Sequence, residues 1–190
     1  MHIRPATRAD SADLAILDDI ASSGLASWLW SAAVVRGEAS TALERGRQRF
    51  AAGEGDISWR NAVIAEVDGD VAGMSVSYEL ASPADAAEAP DAVLKPLYEL
   101  LAAIKGHRYI DALAVYSRHR ERGVGRGLMR HEIDRSQGAT VSLITEDDNE
   151  TALGLYRGLG FAEVARRRCT KFSQQQTTRE WVLMTRQATS

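Results

Sequence analysis

Three glycines, Gly123, Gly125 and Gly127, fall within five residues of the stretch VYSRHRERGVGRGLMRHEI, and Arg120, Arg122 and Arg126 stand among them. Apolar residues that read as a strand, YIDALAV, precede the stretch, and a helix-like pattern follows it. Glycine weakens a helix by roughly 1 kcal/mol per residue, so three of them at a helix start need a physical reason. The first N–H groups of a helix have no partner inside it, and the helix dipole adds partial positive charge there. With no Cβ in the way, a phosphate can approach those amides directly, and the guanidinium groups add further positive charge. The chemistry indicated is phosphate binding; a glycine-rich surface turn with solvated arginines would share the composition. Two familiar phosphate loops do not fit. A P-loop needs Lys followed by Ser or Thr after its last glycine, whereas this chain continues RGLMRH; the G-x-G-x-x-G fingerprint needs glycine where Leu128 stands.

A different family does fit. The loop Arg120-Glu121-Arg122-Gly123-Val124-Gly125 resembles the R/Q-x-x-G-x-G/A pyrophosphate loop of the GNAT superfamily of acyl-CoA-dependent N-acetyltransferases, with Val115 ending the preceding strand. A second registration, from Arg122 to Gly127, also matches; the first places Leu128 and Met129 where the family has its apolar helix residues. After the next strand, VSLIT, the family carries N-x-x-A-x-x-L-Y-x-x-x-G-F, and this chain has Asn149, Ala152, Leu155, Tyr156, Gly160 and Phe161 at that spacing. The resemblance reaches the opening IRPATRAD and the hairpin at 61–79, and it is most specific over 108–161.

That resemblance implies acetyl-CoA as co-substrate, without a metal, and transfer of an acetyl group to a primary amine by direct attack on the thioester. Backbone groups of Leu113, Ala114 and Val115 would bond the pantetheine arm, and amides of Gly123, Val124, Gly125, Arg126 and Gly127 would cradle the pyrophosphate beside Arg120. Asn149 would cap the following helix and reach the cofactor arm. Tyr156 would be the acid that protonates the departing thiolate, although a plain packing role beside Phe161 is open to it. The base that takes the proton of the amine has two candidates. Asp111 alternates along its strand onto the face of Leu113 and Val115, and Glu79 ends the hairpin. The strand VSLIT lacks the acid that ribosomal-protein acetyltransferases carry there, which favours a small-molecule amine over a protein N-terminus. Trp28, Trp30, Trp59 and Tyr78 lie in segments that form the family's acceptor side, where aromatics can hold an apolar or cationic amine. The competing function is an acyl-CoA sensor or scaffold without catalysis; an acetyltransferase acting on a protein amine is the other alternative.

The elements needed to position these residues can be read from local patterns. HIRPAT is a strand, and Leu14, Leu17, Ile20 and Ala21 form one helical face behind Asp10, a good N-cap. GLASWLWSAAVVRGE is less regular, and a further helix covers about Glu38 to Ala52. The runs on either side of Asp68-Gly69 form a hairpin with a type I′ signal. Residues 81–91 read as a loop. Val93, Leu94, Leu97, Leu100, Leu101 and Ile104 have helical spacing, but Pro96 is tolerated only in a first turn, so that helix starts late. The helix of the glycine stretch runs to about Gln137. VSLIT, GFAEVARRRC and REWVLMTR complete the strands, with a short helix at NETALGLYRGL. Mixed helices and strands predict an α/β or α+β class, one sheet layered with helices. The resemblance makes it a mixed, mostly antiparallel sheet of about seven strands whose central parallel pair splays apart, in a single domain over 1–190. Residues 82–106 are an insertion relative to a minimal family member, and either lid the acceptor site or form a homodimer face.

Composition sets outer limits. The chain has 190 residues, 45% hydrophobic and 26% charged, with a net charge of −3. It can bury a real core, and it has no global pull toward nucleic acid or anionic membrane. Arg166-Arg167-Arg168 reads as a solvated strand edge. One cysteine, Cys169, excludes an internal disulfide and suits a reducing compartment. No apolar run approaches a membrane span, and MHIRPATRADSADL lacks a signal peptide's apolar stretch. A cytoplasmic location is expected.

Overall fold

The computed structural model describes residues 1–82, 84–173 and 177–188. Its strands are β1 (His2–Pro5), β2 (Ala62–Val67), β3 (Asp70–Glu79), β4 (Arg108–Val115), β5 (Val141–Glu146), β6 (Ala162–Arg168) and β7 (Glu180–Arg186). Its helices are α1 (Ser11–Ala21), α2 (Leu25–Val35), α3 (Ala42–Ala52), α4 (Lys95–Leu101), α5 (Val124–Arg135) and α6 (Glu150–Arg157). The strands form a seven-stranded mixed sheet in the order β1-β2-β3-β4-β5-β7-β6, the α/β class expected. Two compact units divide the chain: residues 1–78 with 111–135, and residues 79–110 with 136–190.

In the first unit, β1 pairs antiparallel with β2, and β2 with β3 around Asp68-Gly69. Those two turn residues have φ of 56° and 87°, the left-handed pair that a type I′ turn demands. On one sheet face Ala62, Ile64, Met74, Val76, Ala112 and Ala114 pack with Leu14, Leu17, Trp30 and Phe50 of the first three helices. On the other face Val63, Ala65, Val67 and Ala72 meet Val124 and Leu128 of α5. Gly73 sits where β3 lies close to β4: a Cβ there would stand 2.5 Å from the Ala114 carbonyl oxygen.

Several local expectations change in this unit. Asp10 does not cap α1; its carboxylate accepts from the Thr7 amide and hydroxyl and from the Arg4 guanidinium. Arg4 holds that carboxyl down at about 2, because a β1 cation within ion-pair distance outcompetes a local helix end. The buried face of α1 is Leu14, Ala15, Leu17 and Asp18, whereas Ile20 is exposed. The third helix begins at Ala42, where the Thr41 hydroxyl accepts from the Glu44 amide, rather than near Glu38. The fifth ends at Arg135, short of Gln137.

In the second unit, β4 and β5 pair in parallel from Arg108↔Val141 to Ile110↔Leu143, while the strands themselves continue to Val115 and Glu146. β7 pairs antiparallel with β5 and β6, and β6 is a largely exposed edge that carries Arg166–Arg168. Pro96 falls in the first turn of α4, which follows a 3-10 turn at Ala92–Leu94; the periodic run from Val93 is therefore split between two helix types. The expected loop at 81–91 holds a 3-10 turn at Ala86–Glu88. Cys169 is buried, which pushes its thiol up to about 12. Among the described residues no helix is long and apolar enough to cross a membrane.

Candidate functional site

Between β4 and α5 the chain turns through Tyr116, a 3-10 turn at Ser117–His119, and the segment from Arg120 to Gly123. Glu121 and Gly123 adopt φ of 61° and 80°. Left-handed residues at a helix entrance make successive N–H groups converge into an anion-binding concavity. The α5 helix starts at Val124, and its first internal bond is Gly127 N–H to the Gly123 carbonyl at 2.9 Å. The amides of Gly123, Val124, Gly125 and Arg126 are those a helix start leaves without an internal acceptor, and they can receive a phosphate.

Gly127 has a different role from the one its spacing implies. Its amide is used within the helix, and a Cβ at this position would overlap Cε of Met1. Its missing side chain is therefore explained by packing against Met1. Gly123, by contrast, has open space around the position of a Cβ and needs glycine for its backbone angle.

The arginines around the loop are partly engaged. Arg120 Nε donates to the Val115 carbonyl at 3.1 Å, which ties the loop back to the end of β4. Buried His119 accepts from Arg118 Nε at 3.0 Å. Arg122 and Arg118 approach Asp68 and Asp70 of the hairpin turn at 3.6 and 3.9 Å. These pairs are exposed, and such pairs contribute little, so the guanidinium groups remain available to a stronger anion.

Of the acid and base candidates, Asp111 lies in the first unit with the loop. It is half-buried, and its Oδ1 accepts from the Tyr78 hydroxyl at 3.1 Å. Burial raises its pKa, opposed by the Tyr78 hydrogen bond and by the charge of Arg49. The charges acting on it are those of Arg49, on α3, and of Asp56, which follows that helix. Leu113 and Val115 instead pack with Val124 and Leu128.

Asp18 was not singled out by sequence patterns. It is 8% exposed, and burial first, then the charge of Asp111, pushes its carboxyl up to about 8. A charged residue at a helical core position was the available signal.

The aromatic residues divide. Trp30 is buried in the core against Gly46, where a Cβ would overlap the indole ring. Trp59 is half-buried with the Arg60 guanidinium 4.6 Å over its ring, and Trp28 is also half-buried. Tyr78 is the Asp111 partner. Trp30 is thus a core residue rather than an acceptor contact.

In the second unit, Asn149 caps α6, accepting from the Ala152 amide at 3.2 Å. Tyr156 lies on that helix, 8% exposed, with its ring centroid 6.1 Å from that of Phe161. Its hydroxyl has no hydrogen-bond partner among the described residues, although a buried tyrosine usually finds one. Burial pushes the phenol up to about 12, so it stays protonated across neutral pH. Glu79, at the end of β3, is exposed. Among the described residues no cluster of His, Cys, Asp and Glu could hold a metal ion.

A family model described as the acetyltransferase (GNAT) family matches residues 43–161. The N-alpha-acetyltransferase RimI of Mycobacterium tuberculosis is 39% identical over 59 residues, which cover 31% of this chain and 37% of that protein. The matched region is thus little more than a third of that relative's length. An N-acetyltransferase from Staphylococcus aureus Mu50 superposes with a TM-score of 0.66 at 17% identity, over 97% of this chain and 100% of that one. The protein yncA from Salmonella typhimurium, solved with its cofactor acetyl-CoA, superposes with a TM-score of 0.60 at 17% identity, over 98% and 92%. At such identities the structural likeness speaks for the fold alone.

Proposed function

We propose that this chain, which belongs to the acetyltransferase (GNAT) family, is an N-acetyltransferase that moves an acetyl group from acetyl-CoA to the primary amine of a small molecule. The observation that carries the cofactor part is the start of α5. Its first amides lack internal acceptors and follow left-handed Glu121 and Gly123 directly. Gly123, Val124, Gly125 and Arg126 would hold the pyrophosphate, with Arg120 steadying the loop from the end of β4 and Leu113 to Val115 offering backbone groups to the arm. Bound acetyl-CoA supplies the acetyl thioester that an amine attacks.

The protein's own residues handle protons. Tyr156 would give its proton to the departing sulfur; its unpartnered, protonated hydroxyl supports this role. Asp111 is a better base than Glu79, because burial raises its proton affinity while Glu79 is a solvated strand end. A small-molecule acceptor is favoured by Ile144 and its neighbours in β5, which offer no acid inside VSLIT. The similarity to RimI, an N-alpha-acetyltransferase, favours a second reading, in which the amine is a protein N-terminus. A cytoplasmic site of action accords with the single buried thiol. The test is thiol release from acetyl-CoA across a panel of small amines and of peptides with free N-termini. Turnover confined to peptides overturns the small-molecule reading, and CoA binding without turnover on any amine makes the protein a sensor.

A further inference from the structure

We infer that Tyr78 is a positioning residue for the base: its hydroxyl holds Oδ1 of Asp111 and leaves Oδ2 to take the proton of the acceptor amine. The inference rests on the reading of Asp111 given above, and its geometry lies wholly within the first unit. Tyr78 stands near the end of β3 and Asp111 in the middle of β4, and the two strands are neighbours in the sheet. The Tyr78 hydroxyl donates to Asp111 Oδ1 at 3.1 Å. Among the described residues no other hydrogen bond reaches the Asp111 carboxylate. Both residues are half-buried, so the pair stays open to a small ligand.

A carboxylate that must accept a proton has two needs that conflict. One oxygen has to be held so that the other keeps a fixed place, yet every donor favours the ionised form and lowers its affinity for a proton. A single hydroxyl is the compromise. A strong O–H···O⁻ bond is roughly 2.5–2.7 Å long, and the longer contact from Tyr78 orients Oδ1 while weakening the base less. The charged groups around Asp111 do not supply that orientation. Arg49 of α3 acts on it through charge alone, as does Asp56 beyond that helix with the opposite sign. Asp18 of α1, pushed up to about 8 by burial first, stays protonated at neutral pH. Burial of Asp111 raises its proton affinity, and the Tyr78 bond is the largest effect opposing it.

In the step so assigned, Oδ2 takes one proton from the ammonium nitrogen, and the lone pair released there attacks the thioester carbonyl carbon. Tyr78 keeps its own proton throughout. Asp111 returns the acquired proton to solvent before the next turnover. An aromatic that only packed against the acceptor would serve as well as phenylalanine; the hydroxyl is what separates the two roles.

The experiment compares the full chain with Tyr78→Phe, which keeps the ring. The Asp111 carboxyl is followed by NMR on protein labelled with 13C at the aspartate carboxyls, its signal assigned by its loss in Asp111→Asn. Without the hydroxyl the Asp111 midpoint should move to higher pH, because a donor to the ionised form is gone. The acid limb of kcat/KM, measured on the best acceptor of the amine and peptide panel, should move up with it. On the plateau above that limb Tyr78→Phe should cost less than about tenfold, whereas Asp111→Asn removes the base and should cost roughly 10²–10⁴-fold. The CoA dissociation constant should be unchanged in both variants. An Asp111 midpoint that Tyr78→Phe leaves in place overturns the inference, whatever happens to Tm. A midpoint that moves while the rate profile stays fixed, or full turnover by Asp111→Asn, overturns instead the reading of Asp111 as the base.

Discussion

Gly127→Ala separates two explanations of the glycine-dense stretch, because a phosphate cradle and a packing contact make opposite demands there. The amide of Gly127 already donates to the Gly123 carbonyl, so a side chain on its Cα blocks no free donor. A Cβ would overlap Met1 Cε, and its next neighbours would be Met1 Sδ at 3.2 Å and Ile3 Cδ1 at 3.9 Å. Met1 is 64% exposed, and its flexible end can swing away at a cost of a few tenths of a kcal/mol. Against that, alanine gains up to ~1 kcal/mol over glycine inside a helix. The net change is about 0 to 1 kcal/mol in favour of the variant, a Tm rise of at most about 2–4 °C for a chain of this size. CoA affinity, measured by calorimetry, should change less than twofold.

The companion substitutions should behave differently. Gly123→Ala forces a Cβ onto a backbone with φ of 80°, which costs roughly 1–2 kcal/mol and lowers Tm while disturbing the loop. Gly125→Val should abolish retention on CoA-agarose with little loss of folding. If Gly127→Ala weakens CoA binding tenfold while raising Tm, the division of amides at the start of α5 is wrong. If it destabilises by more than 1 kcal/mol, Met1 cannot yield and the contact is rigid.

Further outcomes follow from named contacts. Tyr156→Phe should lower turnover toward the low end of the roughly 10²–10⁴-fold range of general acid catalysis with acetyl-CoA affinity unchanged; full turnover with chemistry rate-limiting would make Tyr156 a packing residue. Glu132 is fully buried and accepts from Ser75 and Ser77 at 2.6 and 2.5 Å, so Ser75→Ala should cost about 1–3 kcal/mol in urea melts, and a change within error would mean that another donor fills its place. Asp10, lowered from 3.8 to about 2 by Arg4, contributes stability that is present above pH 4 and lost as pH falls toward 2; Asp10→Asn should flatten that acid limb by about 2 kcal/mol. Asp18, raised from 3.8 to about 8 by burial, has the opposite sign. Its protonated form is the one the fold accepts, so stability should fall between about pH 4 and 8 with a slope of at most ~1.4 kcal/mol per unit, and an Asp18→Asn variant that keeps that slope would refute the assignment.

Much of the fold was readable because its signals are local. Asp68-Gly69 needs no knowledge of the rest of the chain to form its turn, and both residues do take positive φ. The glycine-dense turn into α5 is equally local, since a strand, left-handed Gly123 and a helix start lie within a few residues of one another. Pro96 placed a helix start correctly for the same reason: a proline ring excludes its own position from a helix interior. The errors lie where a distant partner decides. Asp10 looks like an N-cap until Arg4 on β1 and Thr7 take its oxygens. Which of the four aromatics is core is likewise decided at a distance: Gly46 on α3 makes room for the Trp30 ring.

The α1 helix illustrates the same limit. Counting apolar residues puts Leu14, Leu17, Ile20 and Ala21 on one face, and that count treats Asp18 as solvated. The structure turns Asp18 inward and leaves Ile20 39% exposed. Hydrophobic periodicity assumes that every charge prefers water, which holds unless another group makes a buried charge or proton useful. Asp111, whose charge adds to the effect of burial on Asp18, stands ninety-three positions along the chain, so no window of local sequence contains both acids. A charged residue at a core position of a helix is therefore weak evidence of an error in the pattern and stronger evidence of a partner elsewhere.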